Sequence, residues 1–392
     1  MQEPVISCRL FWLLFYRNFY YNRKIPTIKK ISNKINDQGA EFLLPGDMWF
    51  FKNKEHGDEM NLYNGFYLVE IPIPVPLKTV NCYLAESPLG WHLIDTGFHT
   101  EEAKSAWKTA FRQLHIAPRD IVEIVLTHFH PDHMGLAGWL QEYTGAPVKI
   151  SAEGQRMVQH LWIQKQESER FTDYALRHGM RTEERKKIYD YLEQFTKYVS
   201  PFPEFTTFEE GDTFQWCNEE YTAIHTPGHA DGHMIFYSAR SKTVLAGDLL
   251  LPKITPNVGY FPGFNANPLK AFIHSLHKIQ SYPMDTVLPG HRYIFNNGNQ
   301  RAKELIRHHE DRLREILPML ERPCTAQEVS GKLFAHLSGN ADPLQLLFAL
   351  QETLAHLIYL REEGLVTCEL GRDGVVVFSL EKSKMNLLSP MA

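Results

Sequence analysis

The sequence has few cysteines, and their spacing excludes two kinds of site. Five cysteines occur among 392 residues, far apart and without a C-x-x-C pair. An odd, scattered set favours neither a disulfide framework nor a thiolate zinc site, and it is typical of a reducing compartment. We therefore expect a cytoplasmic protein. The cysteines are Cys8, Cys82, Cys217, Cys324 and Cys368.

Long apolar runs and an excess of one charge are also missing. No run of about 18 apolar residues occurs, so we predict no transmembrane segment. The 41 basic and 46 acidic side chains give a formal net charge of -5. This mixed charge does not favour nucleic acid or an anionic membrane as the main partner, and we expect a small-molecule substrate.

Residues 1–60 differ from the rest of the chain in composition. Basic side chains outnumber acidic ones around an aromatic-rich patch, Leu10–Tyr21, and no periodicity is evident. Because Arg17 interrupts this patch and most basic residues follow it, a secretory signal peptide is disfavoured. We predict a poorly structured basic and aromatic extension. A membrane-surface patch and true initiation at Met48 or Met60 remain alternatives.

The next 240 residues, 61–300, alternate short β-rich runs with helical stretches, which indicates an α/β architecture. Phe214–Ile224 is predicted as one of the strands. A charged, helix-like stretch at about 151–200 is predicted as an insertion over the core. Residues 301–385 contain amphipathic helices followed by a predicted hairpin, which resembles a winged-helix α+β domain.

Four candidate metal ligands lie within six residues at the end of a predicted strand, Ile121–Thr127. The alternate residues His128 and His130 can point the same way and bind one ion, while Asp132 and His133 are directed at a second position. Nitrogen and carboxylate ligands suit borderline-hard metal ions such as zinc. A chance cluster of surface histidines is the alternative, and the density of the cluster disfavours it.

Three further candidates follow at strand ends: His229 in Thr-Pro-Gly-His, Asp248 in Ala-Gly-Asp and His291 in Pro-Gly-His. In this order and at these separations, the motifs resemble those of the metallo-β-lactamase superfamily. The resemblance covers about residues 62–301 and implies an αββα sandwich. The segment from Ile254 and the C-terminal helices are similar to the hydroxyacylglutathione hydrolase-like and LACTB2-like branch, which has a winged-helix tail.

The resemblance also implies a role for each ligand, with two zinc ions per chain and a metal-bridging hydroxide as nucleophile. Asp132 and Asp248 are the catalytic carboxylates, and Asp95 in Leu-Ile-Asp-Thr-Gly supports the ligands, unless it only closes the turn before Gly97. His130 favours zinc over the iron of flavodiiron proteins, although iron or manganese remain alternatives. The first ion is assigned His128, His130 and His229, the second Asp132, His133 and His291, and Asp248 lies between them.

The metal ligands alone do not select a substrate. We predict hydrolysis of the ester, thioester or lactone bond of a small molecule. Tyr260, Phe261 and Phe264 are candidate walls of the substrate pocket, with aromatic packing under a loop as the alternative. His233 is a further candidate, and a structural hydrogen bond is the alternative for its ring.

Two other functions remain open. The first is a metal-dependent ribonuclease or phosphodiesterase of the LACTB2-like type, although residues 301–392 hold 11 basic and 13 acidic side chains, a poor match for a phosphate backbone. The second is a winged-helix binding protein with a non-catalytic metal site. We expect the tail to pack against the core or to form a homodimer.

Overall fold

The computed structural model describes residues 62–381 except 76, 165–166, 338–342 and 372, together with 383. The predicted extension over residues 1–60 therefore lies outside the described residues. Two large β-sheets and a two-stranded hairpin are present in the described part of the chain.

The first sheet has seven strands arranged in chain order. The first four form an antiparallel meander, and the remaining neighbours are parallel. Parallel neighbours end at the same edge of a sheet, where loops can carry functional side chains. The strands are β1 Leu62–Tyr63, β2 Phe66–Pro72, β3 Thr79–Ser87, β4 Gly90–Ile94, β5 Ile121–Val125, β6 Val148–Ser151 and β7 Phe205–Phe208.

The second sheet has six strands, and all of its neighbours are antiparallel except one pair. Its strands are β8 Thr213–Trp216, β9 Glu219–His225, β10 Met234–Ser238, β11 Thr243–Gly247, β12 Thr286–Pro289 and β13 Phe295–Asn296. They lie in the order β13-β12-β11-β10-β9-β8, with β11 and β12 parallel. Every residue of β10 and β11 is buried, and these two strands lie in the middle of the sheet.

The prediction of one continuous strand over Phe214–Ile224 is wrong, because the chain reverses at Cys217 and Asn218. Both residues have positive φ, 53° and 59°. Two-residue hairpin turns of this kind match the twist of the flanking strands. Glycine usually marks such a turn, and here Asn218 is the one residue of the pair that favours positive φ, which is a weaker signal.

Helices cover the outer faces of the two sheets. Trp107 and Phe111 pack with the core of the first sheet, and Phe272 and Leu305 pack with that of the second. The helices are α1 Glu101–Gln113, α2 Pro131–Met134, α3 Ala137–Thr144, α4 Ala152–Val158, α5 Glu167–Arg177, α6 Thr182–Phe195, α7 Pro268–Ile279, α8 Gly298–Ile316, α9 Ala326–Leu333 and α10 Pro343–Glu362.

An aromatic layer fills the space between the sheets. Phe66 of β2 contacts Tyr221 and Trp216 of the other sheet, with ring centroids 5.3 Å and 6.3 Å apart and the rings edge to face. All three side chains are fully buried, and edge-to-face pairs are a favourable arrangement for aromatic rings. Two sheets packed face to face between outer helices form an αββα sandwich, so the predicted α/β fold class is confirmed.

Helices also form in the two regions that the sequence analysis set apart, the predicted insertion at about 151–200 and the C-terminal region 301–385. α4, α5 and α6 lie within 151–200, and α8, α9 and α10 are followed by the hairpin β14 Val366–Leu370 and β15 Val376–Leu380. Thr325 accepts a hydrogen bond from the Glu328 N–H, as expected of a capping residue. The winged-helix assignment of this tail stays a prediction. Among the described helices, none combines the length and apolar character needed to cross a membrane.

Replacing Trp107 with alanine tests the core beneath the site. The indole is fully buried, and its Nε1 donates to the carbonyl of Thr96 at 2.8 Å. We expect Trp107→Ala to lower the free energy of unfolding by about 3–5 kcal/mol, since it leaves a cavity and an unpaired carbonyl. Urea denaturation measures this. Leu89→Ala, at a side chain 81% exposed, is the control, and an equal loss in both variants would contradict the prediction.

Candidate metal centre

The seven predicted metal ligands come together at one edge of the sandwich, where strands of both sheets end. The loop after β5 and the short helix α2 carry the cluster His128–His133, and the loop between β9 and β10 carries His229. Asp248 follows β11, and His291 follows β12. Because β11 and β12 are parallel neighbours, their ends bring the last two side chains to the same place.

One group of ligands consists of three histidines, His128, His130 and His229. Their ligand nitrogens lie within 4.8 Å of one another, and His128 Nε2 is 3.0 Å from His130 Nδ1. Burial, reinforced by His229, lowers the pKa of His130 to about 3, and burial also lowers the pKa of His128 well below its usual value. These two rings are therefore neutral, as metal coordination requires.

A second group consists of Asp132, His133 and His291. Asp132 Oδ2 lies 3.2 Å from His291 Nε2 and 3.9 Å from His133 Nε2. Burial opposes charge on both rings, but the carboxylates, with Asp248 foremost, raise the pKa of His291 to about 10 and that of His133 well above its usual value. The second group thus has a more negative surrounding than the first.

Asp248 lies between the two groups. Its Oδ2 is 3.5 Å from His229 Nε2 and 3.5 Å from His291 Nε2, and its Oδ1 is 3.5 Å from His133 Nε2. A Cβ atom at Gly290 would lie 2.3 Å from Asp248 Oδ1, so only glycine permits this close approach. One carboxylate can therefore serve both positions.

Backbone carbonyls hold the outer nitrogens of two histidines. His229 Nδ1 lies 2.8 Å from the carbonyl oxygen of Asn257, and His291 Nδ1 lies 2.9 Å from that of Thr79. A carbonyl oxygen only accepts, so each Nδ1 must donate its hydrogen, and each Nε2 points inward, where it offers a lone pair when the ring is neutral. Contacts of this kind fix the tautomer and the orientation of metal-binding histidines.

Asp95 supports one histidine from each group. Its two oxygens accept from the N–H and the hydroxyl of Thr127, each at 2.8 Å, and Oδ2 also lies 2.8 Å from His133 Nδ1. Since the Thr127 hydroxyl donates to Asp95, it must accept from His128 Nδ1, which is 3.0 Å away. The carboxylate is buried behind the ligands rather than among them.

Four buried polar atoms of the cluster have no hydrogen-bond partner in the described part of the chain. They are Nε2 of His133, His229 and His291 and Oδ1 of Asp248. An unpaired buried polar atom is costly, and four of them converge on one small space. Divalent cations would satisfy all four, and the mixture of imidazole and carboxylate donors suits zinc, iron or manganese.

His233 makes the structural hydrogen bonds that were the alternative for its ring, and its contact with substrate stays a prediction. The ring is fully buried, and its Nε2 accepts from the backbone N–H of Asp248 at 3.0 Å. Its Nδ1 therefore donates to the hydroxyl of Thr226, at 2.9 Å. With both nitrogens engaged, His233 supports the metal ligand Asp248 from behind.

The three predicted pocket aromatics are half-buried, and each packs against a helix of the 151–200 region. Aromatic packing under a loop was the alternative left open by the sequence, and it therefore explains part of the burial of these three side chains. Their role as pocket walls stays a prediction. The ring pairs and their centroid distances are Phe261 and Phe171 at 5.1 Å, Tyr260 and Tyr174 at 5.4 Å, and Phe264 and His160 at 6.1 Å.

Comparison with known families identifies the family and the fold. The family model described as the metallo-beta-lactamase superfamily matches residues 75–291, and that of the metallo-beta-lactamase-like C-terminal domain matches residues 313–381. The chain therefore belongs to the metallo-beta-lactamase superfamily. The narrower branch suggested by the sequence stays a prediction.

Individual relatives agree with this assignment. The chain is 23% identical over 313 residues to "Probable metallo-hydrolase YqjP" of Bacillus subtilis (strain 168), covering 76% of this chain and 93% of the relative. The crystal structure of a metallo-beta-lactamase family protein from Thermus thermophilus has a TM-score of 0.70 and 34% identity, covering 81% of this chain and 99% of that one. The chain is thus a metal-dependent hydrolase.

A beta-lactamase domain protein from Burkholderia ambifaria is similar over a comparable length. Its TM-score is 0.72 with 25% identity, covering 84% of this chain and 96% of that one. Both structures cover more of this chain than the first family model does. The similarity therefore extends beyond the sandwich into the C-terminal region.

Asp95→Asn tests the support behind the ligands. Asparagine tolerates the φ of 60° at this position, but an amide has one carbonyl oxygen, and its NH₂ group would face a donor from Thr127 or His133. We expect zinc affinity to fall about 10–100-fold while the protein stays folded. Competition with a chromophoric chelator measures the affinity. Asp285→Asn, at an exposed ion pair, is the control, and unchanged affinity in Asp95→Asn would refute the role.

Metal binding should release protons. The pKa of His291, raised to about 10, keeps this ring charged in metal-free protein at pH 8, and the carboxylates also raise the pKa of His133, whereas coordination requires neutral rings. We expect loading at pH 8 to release about one proton per chain or more, and apparent affinity to weaken as the pH falls because protons compete with the metal. Calorimetric zinc titrations in buffers of different ionisation enthalpy measure this. A buffer-independent enthalpy would contradict the expectation.

Proposed function

We propose that this hydrolase uses a dinuclear metal centre to cleave the ester, thioester or lactone bond of a small-molecule substrate. The observation that carries the proposal is the convergence of two donor groups on one carboxylate, with Asp248 oxygens 3.5 Å from the Nε2 atoms of His133, His229 and His291. Zinc is the proposed metal, and iron and manganese are outcomes that metal analysis would identify.

The ligand roles follow the two groups. His128, His130 and His229 would hold one ion, and Asp132, His133 and His291 would hold the other, with Asp248 between them. Two bound cations would supply hydroxide near neutral pH and polarise the bond under attack. The chain's own contribution is to aim the ring nitrogens inward, through the carbonyls and the carboxylate that accept from the outer N–H groups of the rings.

Access to the centre is restricted, which favours a small substrate over a bulky polymer. The side chains of His291 and Asp248 are 1% and 9% exposed, and that of Asp132, at 18%, is the most open carboxylate of the group. Asp132 therefore marks the side on which a substrate can approach. A reactive centre in such a dry site gains electrostatic strength, because few waters screen its charges.

The named relatives support the substrate class. The chain is 24% identical over 251 residues to the "Atrochrysone carboxyl ACP thioesterase" of Aspergillus fumigatus, covering 64% of this chain and 62% of that protein. Because the chain spans less than two thirds of that relative, the thioester is proposed here as a bond type only. The cytoplasmic location, the absence of a nucleic-acid partner and the homodimer stay predictions.

A substrate panel on zinc-loaded protein tests the proposal. We expect turnover of aryl esters, acyl thioesters or lactones, and no cleavage of single-stranded RNA or of bis(p-nitrophenyl) phosphate. Asp248→Asn and Asp132→Asn should each lower kcat/KM by about 100-fold or more, since each removes a charged ligand. Asp285→Asn is the matched control at an exposed aspartate.

Two results would contradict the proposal. Cleavage of RNA in preference to every ester would favour the nuclease alternative. The dinuclear centre itself would be rejected by either of two results. One is full activity in Asp248→Asn, and the other is wild-type protein that retains no more than trace metal after dialysis against zinc.

A further inference from the structure

The segment between Asp248 and Asn257 controls two contacts of the metal centre. Asp248 at its start faces both ligand groups. The backbone carbonyl of Asn257 near its end accepts from His229 Nδ1 at 2.8 Å. Whatever fixes the path of this segment therefore fixes one carboxylate and one imidazole of the centre.

The middle of the segment is a tight and strained turn. The N–H of Ile254 donates to the carbonyl of Pro252 at 2.8 Å, and Lys253 between them has a φ of 63°. A three-residue turn with a left-handed central residue is a γ-turn of the rare, strained kind, and that backbone is unfavourable for a side chain with a Cβ atom. Such strain persists only where surrounding contacts hold the chain in place.

One side chain supplies those contacts. Arg301, in the first turns of α8, donates from Nε to the carbonyl of Leu251 and from its Nη2 to the carbonyl of Ile254, each at 2.8 Å. The two carbonyls flank Pro252 and Lys253, so a single planar guanidinium spans the turn. The Arg301 side chain is 17% exposed, and it also pairs with the more exposed Glu304. Hydrogen bonds to a charged donor are stronger than neutral ones when partly buried.

We propose that Arg301 is a positioning residue for the metal centre: by clamping the turn Leu251–Ile254 it sets the positions of Asp248 and of His229. This inference rests on the proposed metal site. Arg301 lies between the two segments that match family models, 75–291 and 313–381. The helix that carries it begins the C-terminal region, so this region would act on the centre through two backbone carbonyls and without entering it.

The positioning role of Arg301 requires the planar guanidinium, which presents two N–H donors in a fixed geometry. A lysine ammonium is a compact charge on a flexible stem, and it cannot hold two carbonyls in one plane. Arg301→Lys keeps the charge but loses that geometry, and Arg301→Met keeps only the length of the stem. Arg314→Met is the matched control, since Arg314 lies on the same helix, is 66% exposed and pairs with the exposed Asp311 and Glu310.

Metal affinity and a spectroscopic signature test the proposal apart from catalysis. Full-length wild-type protein and the three variants are titrated with zinc against a chromophoric chelator, and the visible spectrum of each is recorded after loading with cobalt(II), whose absorption reports ligand geometry. We expect Arg301→Met to bind zinc at least about tenfold more weakly, with Arg301→Lys between it and wild type. Both Arg301 variants should have an altered cobalt spectrum, and Arg314→Met should match wild type.

A purely structural role makes a different prediction. If Arg301 only stabilises the fold, its variants unfold at lower urea concentration but bind both ions with wild-type affinity and an unchanged cobalt spectrum, and that result would overturn the proposal. If Arg301→Met does not fold, Arg301→Lys decides by the same two measurements. Hydrogen exchange at the Ile254 amide should then be faster in Arg301→Lys than in wild type, and equal rates with equal affinity would also overturn it.

Failure of this inference can be distinguished from failure of the proposed function. Wild-type protein that binds no metal rejects the dinuclear centre and, with it, any role of Arg301 there. Wild-type protein that binds two ions but hydrolyses none of the panel leaves the affinity comparison intact and rejects only the substrate class. Two-metal binding that is indifferent to Arg301 rejects only the positioning role.

Discussion

The metal ligands point their polar atoms into one small, buried space, and the rest of the structure has to hold them there. His128 Nε2 lies 3.0 Å from His130 Nδ1, and the inward Nε2 atoms of His133, His229 and His291 have no hydrogen-bond partner among the described residues. Once the rings are neutral, lone pairs so close together repel one another unless cations lie between them. Contacts from outside the cluster therefore have to hold each ring in the orientation that a metal requires.

The sandwich supplies this restraint at two levels. Buried strands from both sheets end at one edge and set the Cα positions of the ligands, and the fully buried aromatic layer around Phe66 and Trp216 keeps the sheets in a fixed relation. Hydrogen bonds then fix the rings. Carbonyls hold His229 and His291, and Asp95 acts on His133 directly. Packing alone would leave the rings free to flip, and hydrogen bonds alone would not bring the segments together.

The sequence predicted the metal ligands but few of the residues that support them. Four ligands stand out because His128, His130, Asp132 and His133 lie within six residues, and the other three ligands and Asp95 are visible through their resemblance to family motifs. Thr79 and Asn257 support ligands through backbone carbonyls, which every residue possesses, so no residue type indicates the role. The sequence left the role of His233 open, because residue type alone does not distinguish a buried histidine that orients a neighbour from one that contacts substrate.

The turn at Lys253 could not be predicted from the sequence, for the same reason as the hairpin at Cys217. Both segments have left-handed backbone at residues other than glycine, and at Lys253 and Cys217 local propensity argues against the conformation that forms. Tertiary contacts decide instead. Register against β9 imposes the hairpin, and the guanidinium of Arg301 holds the γ-turn from a helix about 50 residues further along the chain. A sequence pattern reflects what a residue prefers, whereas the metal centre depends on backbone held against that preference by distant partners. The boundary at residue 300, drawn where the composition changes, therefore falls within α8 and separates Arg301 from the turn to which it donates two hydrogen bonds.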